Sequence, residues 1–197
     1  MTGLNNIQLS ALDLFARDSY EGVSMSRVAK GSGVKKSTIY AHFTGKENLY
    51  LSLLGPCQSR EESFARDLLA RPGDVWSNLY EYLKSFIARF ELNPPHLKFI
   101  VRSRYAPPEP FQAEVREITQ KHYQRMEKAV VAALERTPLD DWSPRDLAKA
   151  FMGVADSLWG CLLSDRDEAP SRFKSLWRLF RAAPRGERRE NDGFALS

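Results

Sequence analysis

The 197-residue sequence is short of the residues that most often carry reaction chemistry, with two cysteines and three histidines. Cys57 and Cys161 lie far apart in helical-looking sequence, which suits reduced packing residues in the cytoplasm better than a disulfide framework. His42, His96 and His122 show no metal-ligand spacing, and neither Gly-x-Ser-x-Gly nor a phosphate-cradling glycine loop is present. No enzyme activity, cofactor or metal is therefore expected. Also missing is any run of the roughly 18 apolar residues that a membrane helix requires. The opening MTGLNNIQLSALDLF has no basic flank before its apolar residues, so no secretory signal is expected and the chain reads as cytoplasmic.

A further absence is local. From Val23 to Lys46 there is no acidic residue but there are five basic ones, Arg27, Lys30, Lys35, Lys36 and Lys46. That window carries +5, more than the +4 of the whole chain, so the mild pI near 9.1 hides a concentrated patch. The distribution of charge, not its total, points toward nucleic acid.

What is present is helical periodicity almost throughout, with no alternating strand pattern. Ile7, Ala11, Leu14 and Phe15 make a first stripe. Ser24 is an N-cap for a short second helix to Ser32, Gly33 suits a positive-φ turn, and a third helix is expected over 35–42. Thr44-Gly-Lys-Glu47 has the spacing of a capping box and opens a fourth helix, with a kink expected at Gly55-Pro56. Five more helices are expected: one before Asn93-Pro-Pro95, one over 97–105, and others over 110–135, 144–164 and 170–181. The fold class is all-α, with about nine helices.

Two short helices joined by a glycine turn suggest a helix-turn-helix, whose second helix lies in the DNA major groove. Such a helix needs an apolar back and a polar front. In KKSTIYAHF, Ile39 and Phe43 form the back, leaving Lys36, Ser37, Thr38, Tyr40 and His42 outward. Lysines neutralise phosphate and hydroxyls donate to it, while Lys36 and Thr38 are the candidates for reading base edges. Tyr40, His42 and Lys46 suit positioning contacts. A solvated basic helix would share this pattern.

Residues 19–50, SYEGVSMSRVAKGSGVKKSTIYAHFTGKENLY, resemble the N-terminal domain of the tetracycline-repressor (TetR) family of transcriptional regulators. The shared pattern runs through Val28-Ala29, Gly33-Val34, Thr38-Ile39-Tyr40, His42-Phe43, Lys46-Glu47 and Leu49, with Ala11 and Phe15 upstream. The resemblance covers about the first quarter of the chain. It implies DNA contacts by Lys36, Thr38, Tyr40, His42 and Lys46, with Ser24 and Ser26 touching backbone. Two departures stand out: Ser19 replaces a glycine before the aromatic, and Lys35 replaces a Ser/Thr cap but brings a charge for phosphate.

The resemblance further implies a homodimer on a palindromic operator, with a DNA-binding domain (1–50) and a helical effector-binding and dimerisation domain (51–183); the tail from 184 mixes charges with Gly and Asn and is expected to be disordered. The helix over 144–164 is apolar on two faces, so Leu147, Phe151, Val154, Leu158 and Leu162 are candidates for a two-fold interface. Phe173, Leu176, Trp177 and Phe180 of the last helix join them. Burial of both faces inside one domain explains the pattern equally well. For a lipophilic or aromatic small-molecule effector, the candidates are Phe90, Phe99, Arg102, Tyr105, His122, Tyr123, Met126 and Trp159, positions that a plain core would also fill. Repression is the mode the resemblance favours. An architectural or division-control role on the same fold stays open.

Overall fold

The structure, a computed structural model, describes residues 3–139 and 142–182. Among these residues there are nine α-helices, one 3-10 turn and no strand. In order they are α1 (Gly3–Arg17), α2 (Met25–Ser32), α3 (Lys36–Tyr40), α4 (Lys46–Leu69), α5 (Val75–Glu91), α6 (Pro95–Tyr105), the turn Glu109–Phe111, α7 (Gln112–Leu134), α8 (Pro144–Ser164) and α9 (Ala169–Ala182). Within them no helix is long and apolar enough to cross a membrane.

Three helices begin where a side chain satisfies an otherwise unpaired backbone amide. Ser24 accepts from the Arg27 amide, Asp74 from Trp76 and Ser77, and Ser143 from Asp146. The capping box expected at Thr44 does not form. The cap residue is Gly45, one position later, so Glu47 falls at the second helical position and has lost the required register. The third helix is shorter than expected, because the amides of Ala41 and His42 close a turn on Ser37 and Ile39. α4 continues through Gly55-Pro56, both exposed. The tail from residue 184 lies outside the described residues.

The apolar side chains form two clusters. One, here called the head core, gathers Ile7, Ala11 and Phe15 of α1, Val28 of α2, Ile39 of α3 and Leu49 to Cys57 of α4. Phe99 and Ile100 of α6, and Phe111 and Val115 beside α7, complete it. The other, the body core, is built from the far end of α4 with α5, α7, α8 and α9. The boundary expected at residue 50 therefore falls inside α4, a single helix shared by both cores. Burial of so many large side chains, each worth about 1.5–3 kcal/mol, makes the junction a packed seam.

Around that seam the rings of Phe15, Tyr20, Tyr50, Phe99 and Phe111 meet mostly edge to face. Tyr50 lies 4.7 Å from Phe99, 5.0 Å from Phe15 and 5.5 Å from Phe111 between centroids. Its hydroxyl pairs with that of Ser103 at 2.8 Å, and Ser103 in turn donates to the Phe99 carbonyl. Burial pushes the Tyr50 phenol up to about 12.

Candidate functional site

α2 and α3 are held at a fixed angle by chain geometry. Gly33 has φ +70°, the left-handed conformation that ends α2, and its amide bonds back to Ala29 and Lys30. α2 also crosses α1 closely: a Cβ at Gly31 would collide with the Ser10 hydroxyl, which donates to the Val28 carbonyl. The turn where Ser19 replaces glycine needs no positive φ, since the Ser19 hydroxyl oxygen accepts from the Gly22 amide at 3.3 Å.

α3 is anchored by Ile39, which is fully buried, and by Phe43 just beyond it. Lys35, Lys36, Ser37, Tyr40 and His42 are exposed and Thr38 is half-buried, so these residues share one solvent-facing surface. Tyr40 is 49 % exposed, and the Lys36 ammonium lies 5.8 Å from its ring. Ser24 and Ser26 are exposed at the start of α2. Lys35 makes no side-chain cap, as its chemistry dictates.

Two of the five basic residues in the acid-free window are engaged internally. Arg27 pairs with Asp18 at 2.6 Å and donates to the Gly22 carbonyl, fastening α2 to the end of α1. Lys46 donates to the Tyr20 carbonyl at 2.8 Å and stands 3.9 Å over the Tyr20 ring. Partial burial lowers its ammonium below the ordinary lysine range, against the pull of Glu21. Lys46 is thus engaged within the fold, whereas Lys35 and Lys36 are exposed to solvent.

The candidate effector residues are not brought into one cavity. Phe99 belongs to the head core, because its apolar face turns toward Tyr50 and not toward the body. Phe90 and Arg102 line a small cleft near the end of α1. Tyr105 donates to Asp156 at 2.8 Å beside the Arg104–Asp156 pair, and Arg104 covers the Tyr123 ring at 4.3 Å. His122 is buried and its Nδ1 lies 2.7 Å from Glu62, which also accepts from Arg125. Met126 lines a groove of about 570 Å³ between α4 and α7, floored by Leu69, Ala129 and Ala133 and edged by Arg66, Lys128 and Arg136. Trp159 is 7 % exposed, and its indole N–H has no acceptor among the described residues.

The interface residues offered from α8 and α9 lie against the protomer's own core. Leu147, Phe151, Leu158, Leu162, Phe173 and Phe180 are buried in the protomer's own body core, while Val154, Leu176 and Trp177 are half-buried against it. α8 is apolar on two faces because α5, α6, α7 and α9 all pack on it. Its exposed side carries Lys149, Ala150 and Gly153, and on α9 Leu179 is 70 % exposed. An alternation of apolar faces could not distinguish those partners from a second chain.

Residues 9–53 match the family described as bacterial regulatory proteins, tetR family. A 100-residue stretch is 29 % identical to IcaR, the negative transcriptional regulator of the biofilm operon icaADBC in Staphylococcus epidermidis, covering 50 % of this chain and 51 % of that protein. The chain thus spans about half the length of the curated relatives it matches. The fold is shared with MbdR from Azoarcus sp. CIB, at 19 % identity and TM-score 0.69 over 91 % of this chain and 97 % of the other. It is shared too with FadR from Bacillus subtilis, solved in complex with stearoyl-CoA, at 15 % identity and TM-score 0.71 over 90 % and 97 %. Residues 9–53 thus carry the tetR-family helix-turn-helix, and the helical fold is common to these solved structures along nine-tenths of the chain.

Proposed function

We propose that the protein is a DNA-binding transcriptional regulator, a repressor that sits on a palindromic operator as a homodimer and is released by a small effector. One observation carries the DNA reading: an acid-free, solvent-facing surface of Lys35, Lys36, Ser37, Thr38, Tyr40 and His42 on a helix anchored from behind by Ile39. The major groove admits an α-helix, and this one would place Lys36 and Thr38 at base edges and Lys35, Tyr40, His42, Ser24 and Ser26 on backbone. Lys46 acts from behind, holding the Tyr20 turn so that α4 and α1 keep their angle.

Selection of bound sequences from random duplex DNA tests this directly. The expected product is a two-fold symmetric site with half-sites about one helical turn apart, roughly 34 Å. Tyr40→Ala and Lys36→Ala should weaken binding to it by about 1–3 kcal/mol, and Lys36→Ala should also reduce the salt dependence. Absence of any salt-sensitive duplex preference would sink the proposal. Mapping on the chromosome separates a regulator, bound at few promoters, from an architectural protein bound at many dispersed sites.

Effector binding belongs to the region from residue 51 onward. A relative of the same fold holds stearoyl-CoA, the groove between α4 and α7 has an apolar floor, and Trp159 has a buried donor without an acceptor. An unpaired buried N–H costs about 1–3 kcal/mol, which a ligand acceptor would recover. α4 is the coupling element, since Leu49 to Cys57 lie in the head core and Ala65 to Leu69 in the body core. An effector favouring one position of α4 shifts the spacing of the paired heads by its differential affinity alone. For the dimer, the exposed faces of α8 and α9, with Gly153 and Leu179, are the contact surface; Leu179→Glu should shift sedimentation from dimer to monomer.

A further inference from the structure

A second concave feature lies where the end of the head meets the body. It is a cleft of about 250 Å³ whose eight lining residues include Arg17, Lys98, Arg102 and Arg166. Those four are cationic, and none of the others is acidic. They come from three separate places: the last turn of α1, one face of α6 at i and i+4, and the segment just after α8.

The bland explanation is that these cations answer helix C-termini. α1, α5 and α8 all end near the cleft, and each terminus carries about half a negative charge. Arg102 does act in this way, donating to the Arg17 carbonyl at 3.2 Å. Arg17 is also paired with Asp13 at 3.0 Å. Three termini and one carboxylate supply roughly −2.5 against +4, leaving an excess of about +1.5. Among the described residues, Lys98 and Arg166 have no carboxylate within ion-pair distance; Arg166 lies 5.3 Å from the Phe90 ring. The Lys98 ammonium is held below the ordinary lysine range first by burial and then by Arg166 and Arg102, so its charged neighbours repel it.

We propose that this cleft binds a compact, multiply charged small-molecule anion, of phosphate or carboxylate chemistry, between Lys98, Arg102 and Arg166. The anion supplies the counter-charge that the protein omits, and Phe90, Leu162 and Leu163 offer an apolar wall to whatever it carries. The site is separate from the groove between α4 and α7. Because Arg102 is bonded to the end of α1, occupancy ties α6 and the end of α8 to the head itself, a route that does not pass along α4.

Isothermal titration of the full-length protein, without DNA, tests the site independently of the regulatory reading. Inorganic pyrophosphate and citrate are titrated separately at constant ionic strength, distinguishing phosphate from carboxylate chemistry. Saturable one-to-one binding of either anion is expected, weakened about tenfold in Lys98→Gln and in Arg166→Gln, as for loss of one charge-assisted bond. Lys30→Gln, on exposed α2, should bind as the parent does. Thermal unfolding of each variant confirms that it folds, and the parent's midpoint should rise with added anion. The proposal is overturned if neither anion saturates, or if both cleft variants bind with the parent's affinity.

Discussion

The head core and the body core are both apolar, but they differ in the polar groups they enclose. Around Tyr50 the head holds a neutral pair, Tyr50 with Ser103, inside a cluster of aromatic rings. The body encloses charge. Glu61, 2 % exposed, accepts two bonds from Arg89 at 2.7 and 2.9 Å and one from Tyr82 at 3.2 Å. One helical step on, Glu62 receives His122 and Arg125. A neutral pair tolerates small displacements, whereas a buried ion pair is strongly favourable only in good geometry. The head is thus tied by a neutral pair that small shifts leave intact, and the body by charged pairs whose strength depends on their geometry.

Removing one partner in each core measures that contrast. Arg89→Met leaves the Glu61 carboxylate buried without its counter-charge and should destabilise the protein by about 3–5 kcal/mol in urea unfolding. Adding Glu61→Gln should recover a large part. Ser103→Ala leaves only the Tyr50 hydroxyl unpaired, with an expected loss of about 1–3 kcal/mol. Equal losses in the two variants would remove the distinction between the cores.

Acidity should act on the same contrast more gently. Burial, then Arg60 and Arg89, hold the His96 imidazole down to about 4. Burial also lowers His122, although Glu62 pulls the other way, and a neutral His122 can still donate to that carboxylate. Glu62 is held below the usual carboxyl range despite its burial, by the bonds from His122 and Arg125. For the histidines the unfolded chain takes up protons first, so stability is full above about pH 6.5 and declines as pH falls toward 4. For Glu62 the contribution present above its unfolded value is lost as pH falls through the lower folded one. Melting midpoints at pH 7.5 and 5.0 should differ, and His96→Gln with His122→Gln should flatten the difference.

Local features were legible in the sequence because their causes are local. Gly33 has the φ its turn demands, Ser24 and Ser143 cap the helices they precede, and Ile39 anchors α3. What escaped detection depends on distant partners. Lys46 reaches Tyr20 across 26 residues, which no spacing within its own helix could announce. Phe99 lies on an apolar stripe, but a stripe tells which side is buried and not which core it faces. The same limit governs α8, where an interior helix and an interface helix carry one pattern. Thr44 failed as a cap by a single position, since the chain enters α4 through Gly45.

The smallest predicted effect lies on the reading surface and sets two uses of one position against each other. Lys35 has extended φ and ψ of −71° and 148°, the conformation of a capping residue, yet forms no side-chain cap. A serine there could accept from the amide of Ser37 or Thr38, stabilising the head by about 0.5–1 kcal/mol. Lys35→Ser should therefore raise the melting midpoint slightly. It should also weaken operator binding and lower the magnitude of the logarithmic salt slope by about one for each phosphate that the lysine no longer neutralises. If stability rises and the salt slope is unchanged, Lys35 does not touch phosphate, and the groove-facing surface begins at Lys36. If both change as stated, the lysine is a charge kept at the expense of a cap, and the head gives up local stability for affinity where the body keeps its costly groups inside.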